Sequence, residues 1–228
     1  MQTPGVLVEL LNVSDDLADE DWCAWYDQTV LTARAELPGV IAARRATGVV
    51  GSVAHMMVYD LADFGVPLSQ QWAQTDRAVL AGQPPSARTR AVLSQVDSTL
   101  YRQILSTTGA YEPPPAEVIH GAFFEVDPPN FSEFNDWYDT EHVRFVDVIA
   151  GYHNCRRFVA FNDPSVFLAL YDVDALDVAQ SKETAQANES PWSDRVRAKL
   201  VTKRERRLFR TERLARGSDS GRNVVVAG

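Results

Sequence analysis

The sequence predicts an α+β fold made of two β-α-β-β-α-β modules fused in one chain and packed sheet to sheet. Three observations predict it: landmarks repeated in one register, the same order of hydrophobic periods in each half, and a proline-rich break between the halves. Trp25-Tyr26-Asp27 returns as Trp137-Tyr138-Asp139, 112 residues later (25 to 137). The same spacing carries Gly39 onto Gly151, Arg44-Arg45 onto Arg156-Arg157 and Tyr59-Asp60 onto Tyr171-Asp172. Separate landmarks that share a register mark an internal repeat. The break is Tyr111-Glu-Pro-Pro-Pro-Ala-Glu117, a stiff linker composition. The modules are expected at 1–112 and 118–216, followed by a tail at 217–228.

Within each half the elements read in the same order. An apolar strand (6–12 or 121–127) leads to a helix starting near Asp21 or Ser132, with acidic residues in its first turn that suit the helix dipole. Gly5-Val-Leu-Val-Glu9-Leu resembles Gly121-Ala-Phe-Phe-Glu125-Val at a spacing of 116 (5 to 121), which pairs Glu9 with Glu125. Next come strands at 40–48 or 152–161 and at 53–60 or 166–172. Helices are expected at 68–81 and 85–106 in the first half and at 176–201 in the second. A closing strand is expected at 206–213, with Tyr101–Thr107 as its possible counterpart in the first half. This order is the ferredoxin-like arrangement. Such a sheet is covered by helices on one face only, and burying the bare face against a second sheet completes it. The space between the sheets is where a ligand is then expected.

Composition narrows the function. With 45% hydrophobic and 23% charged residues the chain reads as an ordinary globular protein. A net charge of −9 argues against nucleic acid as a partner, since phosphate binding rests on clustered Lys and Arg. The basic run from Lys203 to Arg216 reads as a solvated edge, because Glu205 and Glu212 interrupt it and Leu208 and Phe209 look like core positions. Cys23 and Cys155 match neither a CxxC nor a zinc spacing. No leader and no membrane-length apolar stretch is apparent, so a cytoplasmic protein without membrane contact is expected.

Asn135-Asp-Trp-Tyr-Asp-Thr-Glu-His142, followed by Gly151 and by Arg156-Arg157-Phe158, resembles the dimeric α/β-barrel superfamily, and within it the EthD-like proteins. The resemblance is clear over about 118–175 and fainter over 5–62, and it takes the form of a tandem duplication. It implies a barrel complete within one chain, with higher homo-oligomers still possible. It also implies a range of chemistries: cofactor-independent oxygenation, cyclisation, isomerisation, decarboxylation and dehydration. The first half departs from the motif, having Thr29-Val30 where Glu141-His142 stand, and is expected to be a degenerate site. In the second half Ala150 replaces the Pro that precedes Gly39.

Phe134, Tyr138, His142, Phe145 and Ile149 recur at steps of 4, 4, 3 and 4, which predicts one buried helix face. His142 is the expected general acid or base, since imidazole exchanges protons near neutral pH. Tyr138 is a candidate for stabilising an oxyanion or enolate, and Glu141 is a candidate partner of the histidine. Asp139 reads as a structural salt bridge, since Asp27 repeats it. His55 and Tyr59 alternate onto one strand face, as does Tyr171 in the second half. With Trp137 and Phe145 they are the expected substrate-binding residues. The equivalent Glu9 and Glu125, with the two Arg pairs, read as a repeated Glu–Arg bridge. No HxH, HxxxH or HExxH spacing is present, nor GxGxxG, GxxxxGK[ST] or GxSxG, so neither a metal nor a nucleotide cofactor is expected. The first expectation for function is a cofactor-independent acid-base enzyme of the lyase or isomerase type, acting on a small, largely apolar carbonyl or phenolic compound. The alternatives are a cofactor-free oxygenase of a phenolic or polyketide-like substrate, or a noncatalytic binder of hydrophobic small molecules.

Overall fold

A computed structural model of the chain describes residues 3–11, 20–81, 95–186 and 190–217. The tail expected at 217–228 lies, after Gly217, outside them. Contacts divide the chain into two compact units, Met1–Arg102 with Thr211–Gly228, and Gln103–Arg210. The divisions fall inside two long strands and not at the proline-rich segment, because each of those strands contributes to both units.

In unit 1, β1 (Gly5–Leu11) is followed by a helix in three pieces, α1 (Glu20–Trp25), a π-helical turn (Tyr26–Leu31) and α2 (Thr32–Ala35). Then come β2 (Val40–Val50), β3 (His55–Leu61), α3 (Gln70–Ala81) and β4 (Val96–Ser106). β1 pairs antiparallel with both β3 and β4, and β2 pairs with β3. The helix expected at 85–106 is corrected over its described part: 96–106 is strand. Val96, Leu100 and Ile104 satisfy a helical step of four, but they also satisfy a period of two, and sheet pairing with β1 decides between them.

Unit 2 repeats the order. It contains β5 (Val118–Val126), α4 (Phe131–Trp137), a π-helical turn (Tyr138–His142), α5 (Val143–Asp147), β6 (Tyr152–Ala160) and β7 (Val166–Val173). Three short helices, α6 (Leu176–Ala179), α7 (Lys182–Gln186) and α8 (Pro191–Lys199), stand where one long helix was expected, and β8 (Val201–Arg216) closes the unit. β5 pairs antiparallel with β7 and with the first part of β8, and β6 pairs with β7. The hydrogen-bonded order is β4-β1-β3-β2 in unit 1 and β8-β5-β7-β6 in unit 2. The α+β class expected from the sequence is the observed one.

Local chemistry explains the joints. Gly39 and Gly151 take φ of 84° and 89° between helix and strand, a conformation that strains any side chain with a Cβ. The Ser190 hydroxyl caps α8 by accepting a hydrogen bond from the Ser193 amide at 2.9 Å, with Pro191 in the first turn. Ser190 also donates to Glu141 Oε1 at 2.5 Å, and the Trp137 indole donates to Ser193 Oγ at 3.1 Å, so the start of α8 is fixed to the π turn. Ser190→Ala removes the cap and the Glu141 contact, and a loss of about 1–2 kcal/mol in urea unfolding is the expected outcome.

The strand register corrects one pairing. Leu7 lies opposite Tyr59, and His120 lies opposite Tyr171. Glu9 therefore corresponds to Ala122 and not to Glu125. An odd shift of register turns a side chain to the other face of the sheet. Glu9 is buried and pairs with Arg34 at 2.8 Å, whereas Glu125 is half exposed beside Lys203. The expected Glu–Arg bridge to the strand arginines is absent among the described contacts. Arg45 instead binds Asp27, and Arg157 binds Asp139, the same bridge at matching positions in each unit.

Candidate functional site

The predicted residues of the second half collect on the helix-covered side of the unit 2 sheet. His142, Trp137 and Tyr171 line a small cavity there, with His120, Tyr152, Thr184, Arg204 and Arg206. Its free space is about 20 Å³, room for one water-sized molecule. Thr184, Arg204 and Arg206 also border an open pocket of about 340 Å³, so the three side chains are shared by this vestibule and the inner chamber.

The π turn places the histidine. In an α-helix residues five apart point about 140° away from each other. The wider turn over Tyr138–His142 brings His142 onto Trp137, with the rings stacked at 4.9 Å and 24°. Tyr138 meets the imidazole edge-on at 4.8 Å. The same turn shifts the buried stripe onward. Val146 is buried where Phe145 was expected, and Phe145 is 41% exposed, beside Val148 and Ile149 and away from the cavity.

Tyr138 and Tyr171 share a hydrogen bond at 2.7 Å, and burial pushes both phenols above their usual range. Glu141 faces Ser190 and not the imidazole. His142 Nδ1 is buried and has no hydrogen-bond partner among the described residues. Burial, then the charges of Arg204, Arg157 and Arg197, lower the His142 pKa to about 3. The ring is thus held neutral, with Nδ1 left without a hydrogen-bond partner among the described residues.

His120 is the neighbour that sequence reasoning passed over as a site residue. Arg206 Nε donates to its Nε2 at 3.1 Å, so its proton sits on Nδ1, which donates to the Tyr152 hydroxyl at 3.1 Å. Burial, followed by Arg206, lowers its pKa to about 3 as well. Arg204 and Arg206 were also missed, having been read as a solvated edge. The signal was period two: Arg204, Arg206 and Leu208 lie opposite Phe124, Ala122 and His120 and share their face.

These two histidines set a pH dependence. Each is neutral when folded but takes up a proton near pH 6.5 when unfolded, so stability is complete above about pH 6.5 and is lost as pH falls toward 3. Between pH 4 and 5.5 each adds about 1.4 kcal/mol per pH unit to the slope. Urea unfolding of His142→Gln is expected to show a slope shallower than wild type by that amount.

His55 and Tyr59 lie in unit 1. Tyr59 shares a 2.6 Å hydrogen bond with Tyr26, which donates to Glu9 at 2.7 Å, and Arg34 donates to Glu9, Tyr59 and Asp76. Glu9, Tyr26, Arg34 and Asp76 border a pocket of about 160 Å³, with Val30 at the place His142 holds in unit 2. His55 packs near Trp22 at 5.6 Å. The Arg34–Asp76 part of this network had no counterpart in the repeat and was not anticipated.

Among the described residues no group of three His, Cys, Asp or Glu side chains is placed to hold a metal ion, and no helix is long and apolar enough to cross a membrane.

No protein-family model matches the chain, and no curated protein is significantly similar to it. Solved structures are. A candidate monooxygenase from Fusobacterium nucleatum has a TM-score of 0.64 at 12% identity, covering 94% of this chain and 95% of its own. An anthrone oxidase-like protein has a TM-score of 0.63 at 12% identity, covering 100% and 98%. A ferredoxin fold protein related to antibiotic biosynthesis monooxygenases, from Listeria monocytogenes, has a TM-score of 0.50 at 10% identity, covering 92% and 95%. At such identities the likeness is one of architecture, and in architecture the chain is a ferredoxin-like α+β protein of the kind these structures share.

Proposed function

We propose that the chain is a cofactor-independent oxygenase of a small phenolic or polyketide-like compound, with its chemistry in unit 2. The observation that carries the reading is the neutral His142, lining a chamber with Arg204 and Arg206 while its Nδ1 has no hydrogen-bond partner among the described residues. The names of the solved structures, monooxygenase and anthrone oxidase-like, agree with it and favour it over a lyase or isomerase. The repeated Tyr pairs and Arg–Asp bridges fit an EthD-like module duplicated in tandem, as part of the same proposal.

The substrate loses a proton from an acidic C–H or phenolic O–H to imidazole, and the electron pair stays on the ring. Arg206 stabilises that anion, whose charge offsets the field that keeps His142 a weak base. The electron-rich carbon then reduces O₂ and forms a C–O bond. Loss of a second hydrogen as the O–O bond breaks leaves a carbonyl and water, so a CH₂ and O₂ become C=O and H₂O. The substrate supplies all the electrons. Trp137, Tyr152 and Tyr171 wall the chamber, and its size suits O₂ at the reacting carbon while the arene body occupies the vestibule.

Proton abstraction by the same imidazole also begins the isomerase and lyase chemistries, which need no O₂. Turnover of an anthrone-type substrate under ¹⁸O₂ is expected to place one labelled oxygen in the product. Unlabelled product formed at an equal rate under nitrogen would instead assign acid-base chemistry, and unchanged compound recovered from a tight complex would assign a binder.

A further inference from the structure

The vestibule has a charge that the oxygenase reading alone does not require. Arg197, Arg204 and Arg206 line it together with Thr184 and Ser181, and no carboxylate is among its described lining residues. Two of the three guanidinium groups lack an acidic partner among the described contacts. Arg206 donates to His120 and to the Ala179 carbonyl, both neutral, and among the described residues the Arg204 side chain has no hydrogen bond or ion pair. Arg197 alone is paired, with Asp194 at 2.6 Å on the exposed side. This happens in a chain of net charge −9, where acidic side chains outnumber basic ones 31 to 22.

Crowding like charges has a physical penalty. Burial, followed by Arg197 and Arg206, lowers the Arg204 pKa from its usual value. Positive charge gathered in a pocket is offset by an anion bound there, and the planar arginine fork matches a carboxylate at two points.

We infer that the substrate is an aromatic carboxylate, held by Arg204 and Arg197 in the vestibule with its oxidisable ring directed at the His142 chamber. The inference rests on the oxygenase reading and names its substrate class. A volume of about 340 Å³ accepts one or two fused rings bearing a carboxylate. Arg206 spans the two spaces, since it borders both and holds His120.

The test compares 3-hydroxy-2-naphthoate with its uncharged amide by isothermal titration calorimetry on the whole protein, on Arg204→Gln and on Arg197→Gln. Wild type is expected to bind the acid at least about tenfold more tightly than the amide, and about 0.5 M salt should narrow that difference. In Arg204→Gln the two Kd values should converge to within about threefold, and Arg197→Gln should show a smaller effect in the same direction. Equal Kd values in wild type, a preference that survives both substitutions, or no binding of the acid up to about 1 mM would overturn the inference. Oxygen uptake measured in parallel separates the two readings. Arginine-dependent acid binding with no O₂ consumed for any hydroxyarene acid sinks the oxygenase and leaves the anion pocket standing. Uptake with neutral phenols by a wild type that binds acid and amide equally does the reverse.

Discussion

His142→Ala is expected to lower O₂-dependent turnover by roughly a hundredfold or more, because the variant lacks the group that takes the substrate proton. The fold should persist, since Val30 stands at the matching place in unit 1 and is buried there at 5% exposure. The pH profile separates this role from simple packing. With a free-protein pKa of about 3, His142 should give no inflection near pH 6.5 in kcat/KM, and the rate should be flat from pH 5 to 8 until the substrate itself ionises. An imidazole acting only as filler would allow His142→Val, the residue unit 1 uses, to turn over at the wild-type rate. That result would remove the histidine from the chemistry.

Arg157→Met is expected to destabilise unit 2 by about 3 kcal/mol, equivalent to roughly 6–12 °C in the unfolding midpoint. Arg157 is 1% exposed. It donates to Asp139 and, at 2.9 Å, to Asn135, and its guanidinium lies 4.2 Å from the centre of the Tyr138 ring. Methionine keeps part of the packing but supplies no donor, so the loss falls on charge-assisted hydrogen bonds and the cation–π contact. All three partners lie on the helix at the π turn, so this strand residue holds the turn in register. Circular dichroism melts of Arg157→Met and Arg157→Lys check the argument. Lysine should recover only part of the loss, since it has the charge without the planar fork.

The parts of the molecule that could be read in advance are those written as periodicity. Alternation along 53–60 and 166–172 pointed to the strands found at His55–Leu61 and Val166–Val173, with His55, Met57 and Tyr59 on one face, and steps of four along the second helix gave Phe134, Tyr138 and His142 as buried. Phe145 failed because a π turn inserts one residue per turn without any residue type that marks it, so the stripe continued at Val146. Arg204 and Arg206 failed for a different reason. Alternating charge along a strand looks like a solvent face until the facing element is known, and here that element holds the two histidines. β4 failed because a step of four serves both helix and strand, and only its partner β1 resolves the ambiguity. The Glu9 and Glu125 match failed because runs of apolar residues can be slid by three positions with little loss of similarity.

The sharing of β4 and β8 bears on how the chain is made. Thr211–Arg216 belongs to unit 1, and Gly217 donates its amide hydrogen bond to the Ile41 carbonyl at 2.8 Å. During synthesis the edge of β2 therefore waits, unpaired, until the ribosome has produced the whole of unit 2. An open strand edge readily recruits the wrong partner. A nascent chain stalled near residue 200 should accordingly bind chaperones and resist release, whereas one extended through Gly217 should not.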